Sequence, residues 1–231
     1  MLSAIAVIPS APVVVPDLAG GAAAELAELR TAVLRAAAGL PARWVAVGVA
    51  AETATVAPDA VGTFAGYGVD VRVSLAPDAA GDPVWLPLAA LVTGWVRGAA
   101  RPEARAQVRV FARETDGDAA VAAGRTLRAE LATDPDEIGV LVVADGAHTL
   151  TPTAPGGYDP ASAAVQDDLD RALARGDAAA LARTGGAVVG RVAHQVLAGL
   201  LHDHPTPLRE LYRDAPYGVG YFVGLSSDVG G

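Results

Sequence analysis

The 231-residue chain contains no cysteine and no lysine. The first absence excludes disulfides, thiolate zinc sites and cysteine nucleophiles. The second makes all 17 basic residues arginine, which we read as a bias of genomic base composition more than a design for function. Positive charge is scarce overall. Against 26 acidic residues the formal net charge is −9, and without a basic stripe to neutralise phosphates nucleic acid is not an expected partner. No apolar run approaches the ~18 residues that span a bilayer, so no membrane contact is expected. The apolar start, "MLSAIAVIPSAPVVVP", lacks a basic n-region and is cut by three prolines; it reads as a strand and loop, not a signal peptide, and the expected location is cytoplasmic. A G-x-S-x-G elbow, a P-loop and an H-E-x-x-H pair are all missing.

What is present is a globular composition, 52% hydrophobic and 19% charged, with an alanine excess that adds little burial per residue. The length suits one domain, 1–231, with a full core, and no linker or repeat is visible. Strand and helix signals alternate. Strands are expected at Leu2–Ile8, Trp44–Val49, Val69–Leu75, Val108–Ala112, Ile138–Val143 and "GVGYFVGL", the last followed by a Gly-rich tail. Helices are expected at Ala22–Leu40, Val84–Val96, Asp118–Leu131, from Asp159-Pro160 to about Arg175, and at Ala187–Leu201. This order predicts a three-layer α/β/α domain around a mostly parallel or mixed sheet.

Chemistry concentrates in one place. The apolar run Ile138–Val143 breaks into a loop holding Asp145, His148, Thr149, Thr151 and Tyr158, with glycines that permit tight paths and prolines that stiffen them. In open α/β sheets functional loops lie beyond the carboxyl ends of strands, which makes His148, one of four histidines, the leading candidate. The other three have plainer readings. His202 and His204 stand at a helix C-terminus before Pro205, where cations are favourable, and His194 is expected as a satisfied histidine at the boundary of its helix. "TGGAVVG" at 184–190 reads as a helix-entry turn.

Three segments carry a resemblance. "ADGAHTLTPTAPGGYDP" resembles the "GD-x-SH-x-LTP-x-APAGYDP" loop of the class III extradiol ring-cleavage dioxygenase superfamily, whose members include the catalytic subunit of protocatechuate 4,5-dioxygenase and the Memo-type proteins. "VIPSAPVVVPDLAG" is similar to its N-terminal "PHPPLLVPE" segment, and "LYRDAPYGVGYFVG" to its C-terminal "Y-E-x-PFGVGY-x-V" strand. The short actinobacterial branch of that superfamily is the best match. The resemblance implies an extradiol-dioxygenase-like fold and a non-haem Fe(II) held by two His and one carboxylate, with a further His as acid/base.

Carried over, His148 falls on the acid/base histidine and Asp214 on the carboxylate ligand, one methylene shorter than Glu. Ser10 falls where the first ligand His stands. The second belongs in "GVAAETA", where Glu52 is the one side chain able to ligate. With both imidazoles gone, no cofactor is expected. Fe(II) or another divalent metal would need a rearranged site built from Asp214, Glu52 and His148, with His194 as a further donor. The resulting expectation is a pseudoenzyme-like descendant with a degenerate metal site, whose pocket of Ser10, Glu52, Asp145, Tyr158 and Asp214 around His148 binds a small molecule or a protein. The alternative is an active enzyme, a ring-cleavage dioxygenase or other small-molecule catalyst, using His148 as acid/base with a rearranged or absent metal. A third reading keeps the loop only as a fold determinant. The high apolar fraction is compatible with a homodimer.

Overall fold

Ile138–Val143 is apolar and buried at every position, the pattern of a strand with neighbours on both edges and helices on both faces. The computed structural model describes residues 1–226; the expected Gly-rich tail beyond them lies outside the described residues. In chain order the strands are β1 (Leu2–Ile8), β2 (Arg43–Ala50), β3 (Ala54–Val56), β4 (Val61–Thr63), β5 (Arg72–Ser74), β6 (Arg105–Ala112), β7 (Ile138–Val143), β8 (Leu208–Asp214) and β9 (Tyr221–Ser226). The helices are α1 (Pro16–Ala19), α2 (Ala27–Ala38), α3 (Leu88–Ala100), α4 (Gly117–Thr133), α5 (Ser162–Arg175), α6 (Ala178–Ala182) and α7 (Arg191–Leu201).

Seven strands form one sheet in the order β3-β6-β2-β7-β1-β9-β8, while β4 and β5 make a separate two-stranded ribbon. The middle four are parallel: β7 pairs with β1 on one side and β2 on the other, and β2 continues to β6. β3 at one edge, and β9 with β8 at the other, run antiparallel. Alternate residues of each strand feed two cores. Ala6, Ile8, Ala46, Val108 and Leu141 meet α2 and α3 on one face, and Ile5, Val7, Val47, Val140 and Val142 meet α4, α5 and α7 on the other. The three-layer α/β/α architecture is therefore as expected. No described helix is long and apolar enough to cross a membrane.

Several boundaries differ from the periodicity. The first long helix begins at Ala27, because Gly20 at φ 53° and Gly21 turn the chain through a 3-10 segment, Gly20–Ala23. The expected helix at 84–96 starts at Leu88: Pro87 occupies its N-cap and bars Leu86 from helical backbone, which leaves Trp85 in an irregular loop. Asp159 caps the Ala161 N–H at 3.0 Å, yet regular helix begins at Ser162. The helix expected from Ala187 begins at Arg191. Only Arg72–Ser74 of the expected strand 69–75 is a strand, and it lies outside the main sheet. Edge strand β8, "LRELYRD", had no apolar alternation to betray it, since a bulge between Glu210 and Tyr212 breaks its period.

α4 and α7 pack backbone to backbone. A Cβ on Gly124 would lie far inside contact of the Val196 carbonyl oxygen, and one on Gly199 equally so against that of Val121. Gly199→Ala is therefore expected to destabilise the protein by about 1–3 kcal/mol in urea unfolding, the usual range for forced overpacking. Gly98→Ala, in α3 with nothing within 4 Å of the new methyl, should instead stabilise by about 0.5–1 kcal/mol.

Candidate functional site

A cleft of about 660 Å³ opens where β1, β2, β6 and β7 end together. Its floor holds Ser10 after β1, Val143, Ala144 and Asp145 at the end of β7, and His148. One wall is Val49–Ala51 with Arg113 and Glu114; another is the chain from Gly186 into the first turn of α7. Tyr67, Trp85 and Val189 form the lip, and each is a large apolar side chain left exposed, Trp85 at 82%.

The loop after β7 is braced from three directions. From the C-terminal segment, the Gly146 N–H donates to the Gly220 carbonyl, the Gly220 N–H to the Ala147 carbonyl and the Leu150 N–H to the Gly218 carbonyl, at 2.8–3.1 Å. From the segment before α7, the Val189 and Gly190 N–H groups donate to the carbonyls of Gly146 and Asp145 at 3.0 and 2.9 Å. From α5, the buried Gln166 accepts the Ala147 N–H at 2.8 Å and donates through Nε2 to Asp170 at 2.7 Å. The loop thus finds backbone partners in three other segments, though it is not itself a strand.

This bracing positions His148. Its Nδ1 lies 2.9 Å from the Ala187 carbonyl oxygen, which can only accept, so Nδ1 carries a proton and donates it to that bond. Gly156 abuts the ring edge, where a Cβ would collide with Cδ2 and Nε2. Asp145 accepts the Ser10 N–H through Oδ1 at 2.8 Å. Burial, only partly opposed by that hydrogen bond, pushes its carboxyl up to about 7.

Of the sequence-derived candidates, Ser10, Asp145 and His148 meet at the cleft; the other three do not line it. Glu52 is exposed one residue beyond the wall at Ala51. Tyr158 points to solvent at 57% exposure. Asp214 is exposed at the end of β8, where Oδ1 takes the Ala215 N–H at 2.7 Å. The donor set for a ferrous ion thus consists of a serine hydroxyl and two separated carboxylates. Among the described residues no three His, Asp or Glu side chains stand together as a metal site. These residues do not fit the metal that the resemblance implies.

His194 departs from expectation in another way. It is not at a boundary but fully buried, and neither ring nitrogen has a hydrogen-bond partner among the described residues. Desolvation drives its pKa down to about 4, against the pull of the neighbouring Asp145 backbone. His202 pairs with Asp203 at 2.7 Å on the surface. The segment 184–190, expected as a plain helix-entry turn, proves to be a cleft wall and the acceptor for His148. Gln166 and Asp170 were also missed, although two polar residues on the apolar stripe of α5 with Leu169 and Leu173 were a legible signal.

No family model matches the chain, and no curated protein does. Among solved structures it is similar to the uncharacterized protein JW3007 from Escherichia coli K12, with a TM-score of 0.60 and 11% identity over 96% of this chain and 99% of that one. At that identity the likeness concerns the fold alone.

The buried groups make stability respond to pH in opposite senses. Asp145, and Asp170 with its carboxyl raised by burial to about 6, hold protons in the fold that the unfolded chain has released, so each lowers stability as pH rises from about 4 to its folded pKa. His194 stays neutral in the fold while the unfolded imidazole is protonated, so it raises stability from about pH 4 to 6.5. The expected outcome is that His194→Gln steepens the fall of Tm between pH 4 and 6.5, and Asp145→Asn flattens it. Thermal melts across that range check both slopes.

Proposed function

We propose that the chain is a class III extradiol-dioxygenase-like protein in which the ferrous site has been lost and the cleft binds a small molecule. One observation carries this reading: the first half of the loop that the resemblance marks as catalytic is braced at the cleft, while the positions expected to ligate iron do not converge. A concave site of this size, mostly apolar with a few convergent polar groups, has the make-up of a small-molecule pocket. Its ligand would sit over Ser10, Asp145 and His148, beneath Trp85 and Tyr67. Protein purified without chelators should hold iron and zinc well below one atom per chain by elemental analysis. One equivalent of either, lost in His148→Ala or Asp214→Ala, would overturn the proposal.

A second reading is favoured by the anchoring of His148. An imidazole with Nδ1–H anchored on a carbonyl presents Nε2 as its second nitrogen, the arrangement of a general base, and such a base contributes typically 10²–10⁴-fold to a rate. On this reading the protein is a metal-independent catalyst on a small substrate. It predicts turnover within a panel of catechols, esters and amides, lost in His148→Ala. Gly156→Ala, which crowds the ring without removing it, should reduce that turnover while leaving the global fold intact by circular dichroism. A flat panel, with and without added Fe(II), leaves the binding reading standing alone.

A further inference from the structure

The floor of the cleft holds a carboxylate that forms no ion pair among the described residues. Asp145 accepts the Ser10 N–H through one oxygen; the other has no hydrogen bond among the described residues and stays accessible in the cleft, which the residue lines. Two arginines share that cleft, but neither forms an ion pair with Asp145. The Arg191 guanidinium is committed to the Gln195 side chain and to the carbonyls of Arg113 and Thr115, at 2.9–3.1 Å. Arg113 stands exposed at the rim next to exposed Glu114, an acidic neighbour that offsets it. A partly buried carboxylate without a counter-charge is less well stabilised than one in open water, and a ligand that brings a cation to its accessible oxygen supplies the missing partner.

The lip carries the complementary feature. Trp85 lies between Pro83 and Pro87 in a loop with no regular structure, and Tyr67 ends a 3-10 turn; both rings stand exposed over the opening. Exposed aromatic faces gathered at one cleft attract cations through the ring quadrupole and cover the apolar part of a ligand. The chain's net charge of −9 draws the same class of molecule inward. A metal ion is the wrong cation here, because among the described residues no cluster of three His, Asp or Glu side chains includes Asp145.

We propose that the cleft takes an organic cation, a small molecule with a protonated amine that pairs with Asp145 while its apolar body lies under Trp85 and Tyr67. This inference rests on the small-molecule reading of the cleft. It is tested on the full chain by calorimetric titration at pH 7.5 with three probes of matched shape: 2-phenylethylamine, 2-phenylethanol and 3-phenylpropionate. The amine is expected to bind at least about tenfold more tightly than the other two, the scale of one charge-assisted contact. Asp145→Asn should remove that preference. Trp85→Ala, a change at an exposed site that leaves the core untouched, should weaken the amine several-fold, so the inference stays testable if the Asp145 variant does not fold. Equal or tighter binding of the alcohol or the carboxylate overturns the amine inference and leaves the binding cleft in place. Failure of all three probes to saturate overturns both.

Discussion

The two-sided parallel pairing of β7 is the constraint on which the rest depends. Ile138–Val143 hydrogen-bonds to β1 along one edge and β2 along the other, with Ile8 opposite Val143 and Val47 opposite Val142. A strand buried on both faces and both edges has no freedom of register, because a slip of one residue would exchange its two apolar faces. The carboxyl ends of three strands are thereby set level. The residues at those ends, Ser10, Val49–Ala51 and Asp145, must meet at one place, and β6 adds Arg113 beside them. The cleft is a consequence of strand alignment before any side chain in it is considered.

Rigidity beyond that alignment comes from backbone groups far apart in sequence. The loop after β7 has no ladder of its own, so its N–H and C=O groups would be unsatisfied in a buried position. Residues 186–190 and 218–220 supply the partners, with Gln166 completing the set. This explains the Gly pair in "YGVGY": side chains at Gly218 and Gly220 would strike the loop and Gln166, respectively. The C-terminal segment therefore holds the loop after β7 in place and does not deliver the carboxylate of Asp214 to the cleft. Burial raises the carboxyls of Asp145 and Asp170 and lowers the imidazole pKa of His194, so the fold disfavours the charged form of each relative to water.

Much of this was legible in the sequence. The continuous apolar runs of β1, β2 and β7 identified buried strands, since β-branched stretches of that length have few other stable fates. His148 stood out because it lies just past such a strand inside a loop dense in Gly and Pro. Other features were hidden for physical reasons. Trp85 fitted a helical period until Pro87 cancelled it, and the charged edge strand β8 has one side in water and a bulge in its middle, so it shows no period. His194 looked peripheral because its neighbours Gln195 and Arg191 are polar, whereas those side chains serve as buried braces to Thr184 and to the loop after β6.

The sequence by itself determined the three-layer class, the strands that carry the site, and the candidacy of Asp145 and His148, because all of these arise from local periodicity and from polar residues set against apolar runs. Only the tertiary structure decided which candidates share one cleft. Ser10, Asp145 and His148 come together because β1 and β7 are neighbours; Glu52 in the turn after β2, Tyr158 far along the loop after β7 and Asp214 at the end of edge strand β8 stay exposed outside the cleft. It also decided the anchoring of His148 through Ala187, a residue 39 positions away whose carbonyl has no sequence signature. Contacts between distant backbone atoms leave no trace in side-chain pattern, and in this protein they are what shapes the site.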